Sequence, residues 1–273
     1  MDTLQLEKLP RPSFENPPVV EVVMGLQFDK PHSINMVDFA KLWEEFGKEE
    51  YSDYKELAPL ERMVEGPSQI FKFSNLPEMR RVWFENPKEN TLIQTQEDRL
   101  IFNWRRPTEN LDESNCYPRY EKINNEFFSI YDRFEKYLQN SGVEVSKPDI
   151  LELTYMNFIE YDGEKIPDAN AIFKDFNWFV EDRILNRPSF IDQKLIYEIP
   201  DMLSKLKCTI KSYQNPENGN EGLIYELSVR GTVNELERKN MQQWYNNARL
   251  WIVHGFKDST NTEMHKKWGI SDE

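Results

Sequence analysis

VEVVMGLQF (residues 20–28) decides the fold when it is set beside LELTYMNFI (residues 151–159), which echoes it far along the chain. Each run places a carboxylate second (Glu21, Glu152), a small or polar residue in the middle and an aromatic near its end. In the first, Val20, Val22, Met24, Leu26 and Phe28 alternate onto one face. Glu21 and Gln27 join Val19, Val23 and Gly25 on the other, which is the period of a strand with one core face.

The same order of elements follows both runs. After the first, a helix is predicted from a Ser33 cap to about Phe46, with Met36, Phe39, Ala40, Trp43 and Phe46 at helical spacing. Turn residues at Asn75, Asn86-Pro87 and Gln96-Glu97-Asp98 then separate four predicted antiparallel strands, 68–73, 80–85, 91–95 and 99–105. A polar loop leads to a long amphipathic helix, 118–138, stopped by Asn140-Ser141-Gly142. After the second run (strand 150–161) come a helical segment, 169–185, strands 190–199, 206–213 and 223–230, a second long helix, 235–256, and a short helix, 262–268. LIFNW (100–104) and LIYEL (223–227) hold matching places.

This predicts an α+β protein in two similar halves, each a strand, a helix, an antiparallel meander and a long helix, the order of TATA-binding-protein-like and helix-grip folds. Residues 1–16, with little periodicity, read as an extended N-terminal arm. The halves are then 17–148 and 149–273, the second carrying the short C-terminal helix.

The chain has 273 residues, of which 30% are charged, so its apolar mass must be concentrated. Seventeen Phe, 12 Tyr and 7 Trp concentrate it, because a ring buries much area per residue. The net charge of −14 repels phosphate backbones, so duplex DNA is not an expected partner. Arg80-Arg81, Arg105-Arg106, Lys205 with Lys207 and Lys211, and Arg238-Lys239 could still cluster into a local basic patch, although solvated strand ends and helix faces are the competing role. Cys116 and Cys208 are too far apart in sequence for a metal or redox motif, and a reducing cytoplasm is the expected compartment. MDTLQLEKLPRP lacks the basic and apolar regions of a signal peptide, and no run is long and apolar enough to span a membrane.

Glycine-rich phosphate loops and the GxSxG elbow do not occur, so no nucleotide and no other cofactor is expected. His254 and His265 with Asp258 and Glu263 are the candidate acid–base cluster, since imidazole and carboxylate serve as general bases and ligands. Their spacing lacks the one-face placement of metal-binding helices, so no metal site is expected. His254 reads first as a packing or hydrogen-bonding residue at the end of the long helix. Trp104 with Arg105 and Arg106 is the candidate nucleic-acid surface, because rings beside arginines on a sheet stack single-stranded bases. Core packing is the competing role for that tryptophan.

PPVVEVVMGLQF (17–28) and NNARLWIVHGFKDSTNTEMHKKWG (246–269), with Phe256, Thr260 and Trp268 in the second, resemble a family of sporadically distributed bacterial proteins of unknown function. The resemblance implies an accessory or interaction role in a defence or mobile-element system. From the residues themselves, the expectation is a non-enzymatic binding or regulatory protein. A protein with a basic surface is the expected partner, and a homodimer is open. The alternatives are a hydrolase using the histidine and carboxylate cluster, and a single-stranded nucleic-acid binder.

Overall fold

The computed structural model describes residues 2–63, 80–107, 117–160, 169–174, 184, 188–214, 219, 221–233, 235 and 237–272. The protein is mixed α+β, and the chain divides into two compact units, Val23–Glu152 and Met1–Val22 with Leu153–Glu273.

In the unit of residues 23–152, β2 (Val19–Phe28) is followed by α2 (Met36–Phe46), β3 (Asp53–Leu57), β4 (Arg81–Asn86), β5 (Thr91–Gln96), β6 (Arg99–Arg105) and α3 (Tyr120–Asn140). The strands lie in the order β3-β4-β5-β6-β2. In the other unit, β7 (Pro148–Glu160) is followed by α4 (Ala169–Ile172), β8 (Asp192–Ile199), β9 (Ser204–Gln214), β10 (Glu221–Gly231) and α5 (Arg238–Ser259). Here the order is β8-β9-β10-β7, so in both units the last meander strand returns beside the first strand. The predicted repeat of element order is thus present. LIFNW and LIYEL fall on β6 and β10, the equivalent strands.

Physical detail departs from the sequence reading in several places. Asn35, not Ser33, caps α2: its side chain accepts from Val37 at 2.8 Å, and Asp38 accepts from the Asn35 N–H at 2.8 Å. This reciprocal pair is a capping box. β3, whose DYKEL sequence has no apolar alternation, pairs with β4 as an edge strand. The predicted strand 68–73 lies outside the described residues, as does most of the predicted helix 169–185.

The expected extended arm is instead folded. α1 (Thr3–Leu6) is capped by Asp2 and Gln5 reciprocally, and β1 (Pro12–Phe14) pairs antiparallel with β11 (Ile270–Asp272). α6 (Thr262–Lys267) lies between α5 and β11 in sequence. Phe14 brings β1 onto Phe256 (ring centroids 5.4 Å apart) and Trp268 (6.2 Å). Thr260 closes the end of α5 by donating to the Phe256 carbonyl. Phe256, Thr260 and Trp268, the motif residues of the C-terminal resemblance, therefore form one packing knot with the N-terminal segment.

The helix-facing side of each sheet is apolar. Met24, Leu26, Phe28, Phe84, Ile93 and Phe102 are buried in one unit, and Leu206, Leu223, Tyr225, Leu227 and Val229 in the other. α3 ends in a Schellman motif, with Val143 N–H on the Leu138 carbonyl (3.0 Å), Gly142 N–H on Gln139 (3.2 Å) and Gly142 at φ 70°.

The opposite sides differ. In the unit of residues 23–152, the stretch 60–63 crosses the sheet face. Gln27 accepts from the Met63 N–H (2.7 Å) and donates to its carbonyl (2.9 Å), while Gln96 does the same with Leu60 (2.9 and 3.0 Å). Arg99, buried between them, donates to the Glu61 carbonyl and to Gln27, both at 2.8 Å. On the other unit, Lys205, Lys207 and Lys211 share a half-exposed face of β9 and pair with Glu198 (3.5 Å), Glu226 (2.7 Å) and Asp192 (3.3 Å). That face is a ladder of matched charges, so these lysines form no uncompensated basic patch.

Candidate functional site

The unit built of residues 1–22 and 153–273 contains a cavity of about 680 Å³ on the helix-facing side of its sheet. Strand alternation supplies one wall. β8, β9 and β10 are in register so that Leu195 opposes Cys208 and Cys208 opposes Leu227, while Tyr197 opposes Leu206 and Ile210 opposes Tyr225. All but Leu227 line the cavity. α5 supplies the second wall through Trp251, His254, Gly255, Asp258 and Ser259, and Phe173 and Lys174 add a third surface. Leu6, Leu9 and Pro10 of the N-terminal segment complete it. α1 is held there by Trp251 Nε1 donating to Thr3 Oγ1 at 3.0 Å and by the Thr3 N–H on Asp201 at 2.9 Å.

Gly255 sets the width between helix and sheet. A Cβ there would stand 3.2 Å from Leu206 Cδ2, so a larger residue would push α5 outward or fill the space. The polar groups gather along one side. Tyr225 Oη and Ser259 Oγ are 2.7 Å apart, and Ser259 donates to the Gly255 carbonyl at 2.8 Å. Lys174 donates to the Lys257 carbonyl at 3.2 Å. Burial pushes the Cys208 thiol up to about 11 and raises Tyr225 further, so both stay protonated at neutral pH. A thiol held in that state is a poor nucleophile.

The candidate cluster is divided. His254 and Asp258, one helical turn apart on α5, both line the cavity, whereas His265 and Glu263 do not. His265 is buried on α6, its Nε2 2.8 Å from Thr260 Oγ1, and burial, reinforced by Lys174 and Lys257, lowers its pKa. Glu263 pairs with Lys266 on the surface at 2.8 Å. One histidine and one carboxylate reach the cavity, short of the two of each that a hydrolytic cluster here would bring together. Among the described residues no group of three His, Cys, Asp or Glu side chains is placed to hold a metal ion.

Trp104, Arg105 and Arg106 do not form an open stacking face. Trp104 is only 3% exposed and packs against Tyr117, its ring centroid 5.4 Å away. Arg105 leaves the opposite face of β6 and lies over the Trp83 ring at 4.8 Å, where Arg81 also sits at 5.3 Å. Arg106 lies beyond the strand end.

The sequence reading missed the cavity because its apolar lining has the same composition as core. Asp2-Thr-Leu-Gln5, a capping-box spacing, marks a helix start in the N-terminal segment, though nothing local shows that this helix docks as a wall. No family model, no curated protein and no solved structure matches the chain. Among the described residues no helix is long and apolar enough to cross a membrane.

Proposed function

We propose that the protein is a non-enzymatic binding or regulatory protein that holds a small, largely apolar molecule between α5 and the β8-β9-β10 face. The carrying observation is the cavity itself. About 680 Å³ lies within the range of roughly 300–1,000 Å³ typical of ligand sites, and its lining is mostly aliphatic and aromatic with a few polar groups on one side. Tyr225, Ser259, His254 and Lys174 are the groups that would orient a polar end. The resemblance at residues 17–28 and 246–269 supports an accessory role in a bacterial defence or mobile-element system, in the cytoplasm. The net charge of −14 favours a protein partner with a basic surface, encountered faster at low salt.

The test is a titration with an environment-sensitive apolar dye, such as an anilinonaphthalene sulfonate, on the wild type and on Leu195→Trp. The added ring fills cavity space from a half-exposed strand position, so it leaves the core intact. Saturable dye binding that Leu195→Trp abolishes without changing the melting temperature is expected. Binding unchanged in the filled variant would remove the cavity from the function.

A further inference from the structure

We propose that β8 is a self-pairing edge, joining two copies of this chain through antiparallel β8–β8 contacts centred on Ile196. β8 ends the strand order, and among the described residues no strand pairs with its outer edge. An edge strand offers unpaired backbone groups to another chain, and natural edges are usually blunted by charge or proline. β8 reads Asp192-Gln-Lys-Leu-Ile-Tyr-Glu-Ile199, and Ile196 and Tyr197 at its centre are 54% and 46% exposed.

The strand is complementary to itself in one register. Antiparallel pairing about Ile196 sets Lys194 opposite Glu198 of the second copy, twice by symmetry, and sets Ile196 opposite Ile196. Leu195 then stands opposite Tyr197 of the second copy, while 193–199 all have partners. Pairing about Leu195 would oppose Asp192 to Glu198, a repulsive contact. Pairing about Gln193 matches Lys194 with Asp192 but engages only residues 192–194 of the strand. The charges that would otherwise block the edge therefore select the single long register that matches both of them. Lys194, Ile196 and Glu198 share the charged-ladder face of the sheet, where Glu198 already meets Lys205 at 3.5 Å as an exposed pair. Leu195 and Tyr197 share the cavity face and line the cavity, so each copy would extend the other's rim. The pairing itself stands whether or not the cavity holds a ligand.

Sedimentation or native mass spectrometry of the full chain over a concentration series tests this. The wild type is expected to show a monomer–dimer equilibrium. Lys194→Glu or Glu198→Lys alone places like charges opposite each other twice and should weaken the dimer roughly tenfold or more, since cross-strand pairs of opposite sign stabilise and like pairs destabilise. Mixing the two single variants restores attraction at both contacts and should give a heterodimer, and the double variant K194E/E198K should dimerise like the wild type. Circular dichroism melts confirm that each variant is folded. A wild type that stays monomeric throughout overturns the proposal. So does a Glu198→Lys chain that dimerises normally, or a mixture of the single variants that does not associate.

Discussion

His32 should make the unit of residues 23–152 lose stability as pH falls through the range where a free histidine titrates. The ring is buried, with Nδ1 2.9 Å from the Glu97 carbonyl and Nε2 accepting from the Ser146 N–H at 3.1 Å. A carbonyl only accepts, so Nδ1 carries the proton and Nε2 has none. A second proton would set two donors against each other. Burial holds the pKa below its ordinary value of 6.5, outweighing the Glu97 carbonyl, Asp29 and Asp98, which pull it upward. The unfolded chain therefore takes up the proton first. The contribution is complete above about pH 6.5 and falls by up to about 1.4 kcal/mol per pH unit until the folded-state pKa is passed.

His265 is also held low and acts in the same direction, so the share of His32 must be read as a difference. His32→Phe keeps a ring against Phe28 and Phe134, whose centroids lie 4.5 and 5.6 Å away. The Glu97 carbonyl retains the His32 main-chain N–H at 2.7 Å, and only the Ser146 N–H loses its acceptor. One orphaned donor costs about 1–3 kcal/mol. The variant should be less stable by that amount near pH 7.5, and the gap should narrow toward pH 5 because the variant lacks this titration. Urea unfolding of both proteins across that range measures it. Parallel stability–pH curves would refute the tautomer argument, as would a gap that widens on acidification.

Three further outcomes follow from packing. Gly222→Ala should destabilise by about 1–3 kcal/mol in chemical unfolding, because its Cβ would meet the Phe158 ring and stand 2.7 Å from the Ile159 carbonyl oxygen. Tyr137→Phe should cost about 1 kcal/mol in the same assay by removing the 2.7 Å hydrogen bond to Asp38, the residue that also completes the α2 capping box. Cys208, buried and with its thiol pushed up to about 11, should resist alkylation at mildly alkaline pH until denaturant is added, a difference that peptide mass mapping reads directly.

β2 was legible residue for residue, because its strict alternation begins after Pro17-Pro18 and one face is wholly apolar. The ends of α3 were legible within two residues because Gly142 is needed for the left-handed turn. β3 was not, since an exposed edge needs no apolar face and DYKEL shows none. The cap of α2 was misplaced by two residues because Ser33 and Asn35 are both good caps, and only the partner at Asp38 decides between them. The site was hardest to read. Its walls come from residues 6–10, 173–174, 195–225 and 251–259, and no local pattern distinguishes a Leu206 that meets a void from a Leu227 that meets a neighbour. Of the candidate residues, His254 and Asp258 reached the cavity because a spacing of four puts them on one side of α5.

Gln27 and Gln96 have a consequence for how two repeats of one plan can diverge. Each primary amide turns one N–H and its carbonyl oxygen toward a single residue of the crossing stretch, so the two side chains pair with main chain as a neighbouring strand would, from the face of the sheet instead of its margin. A segment is then held over a sheet face by polar bonds to its main chain. With Arg99 between them, these side chains cover a platform in the unit of residues 23–152. On the corresponding face of the other unit, lysines and carboxylates pair with one another, so charge there can change without cost to the core.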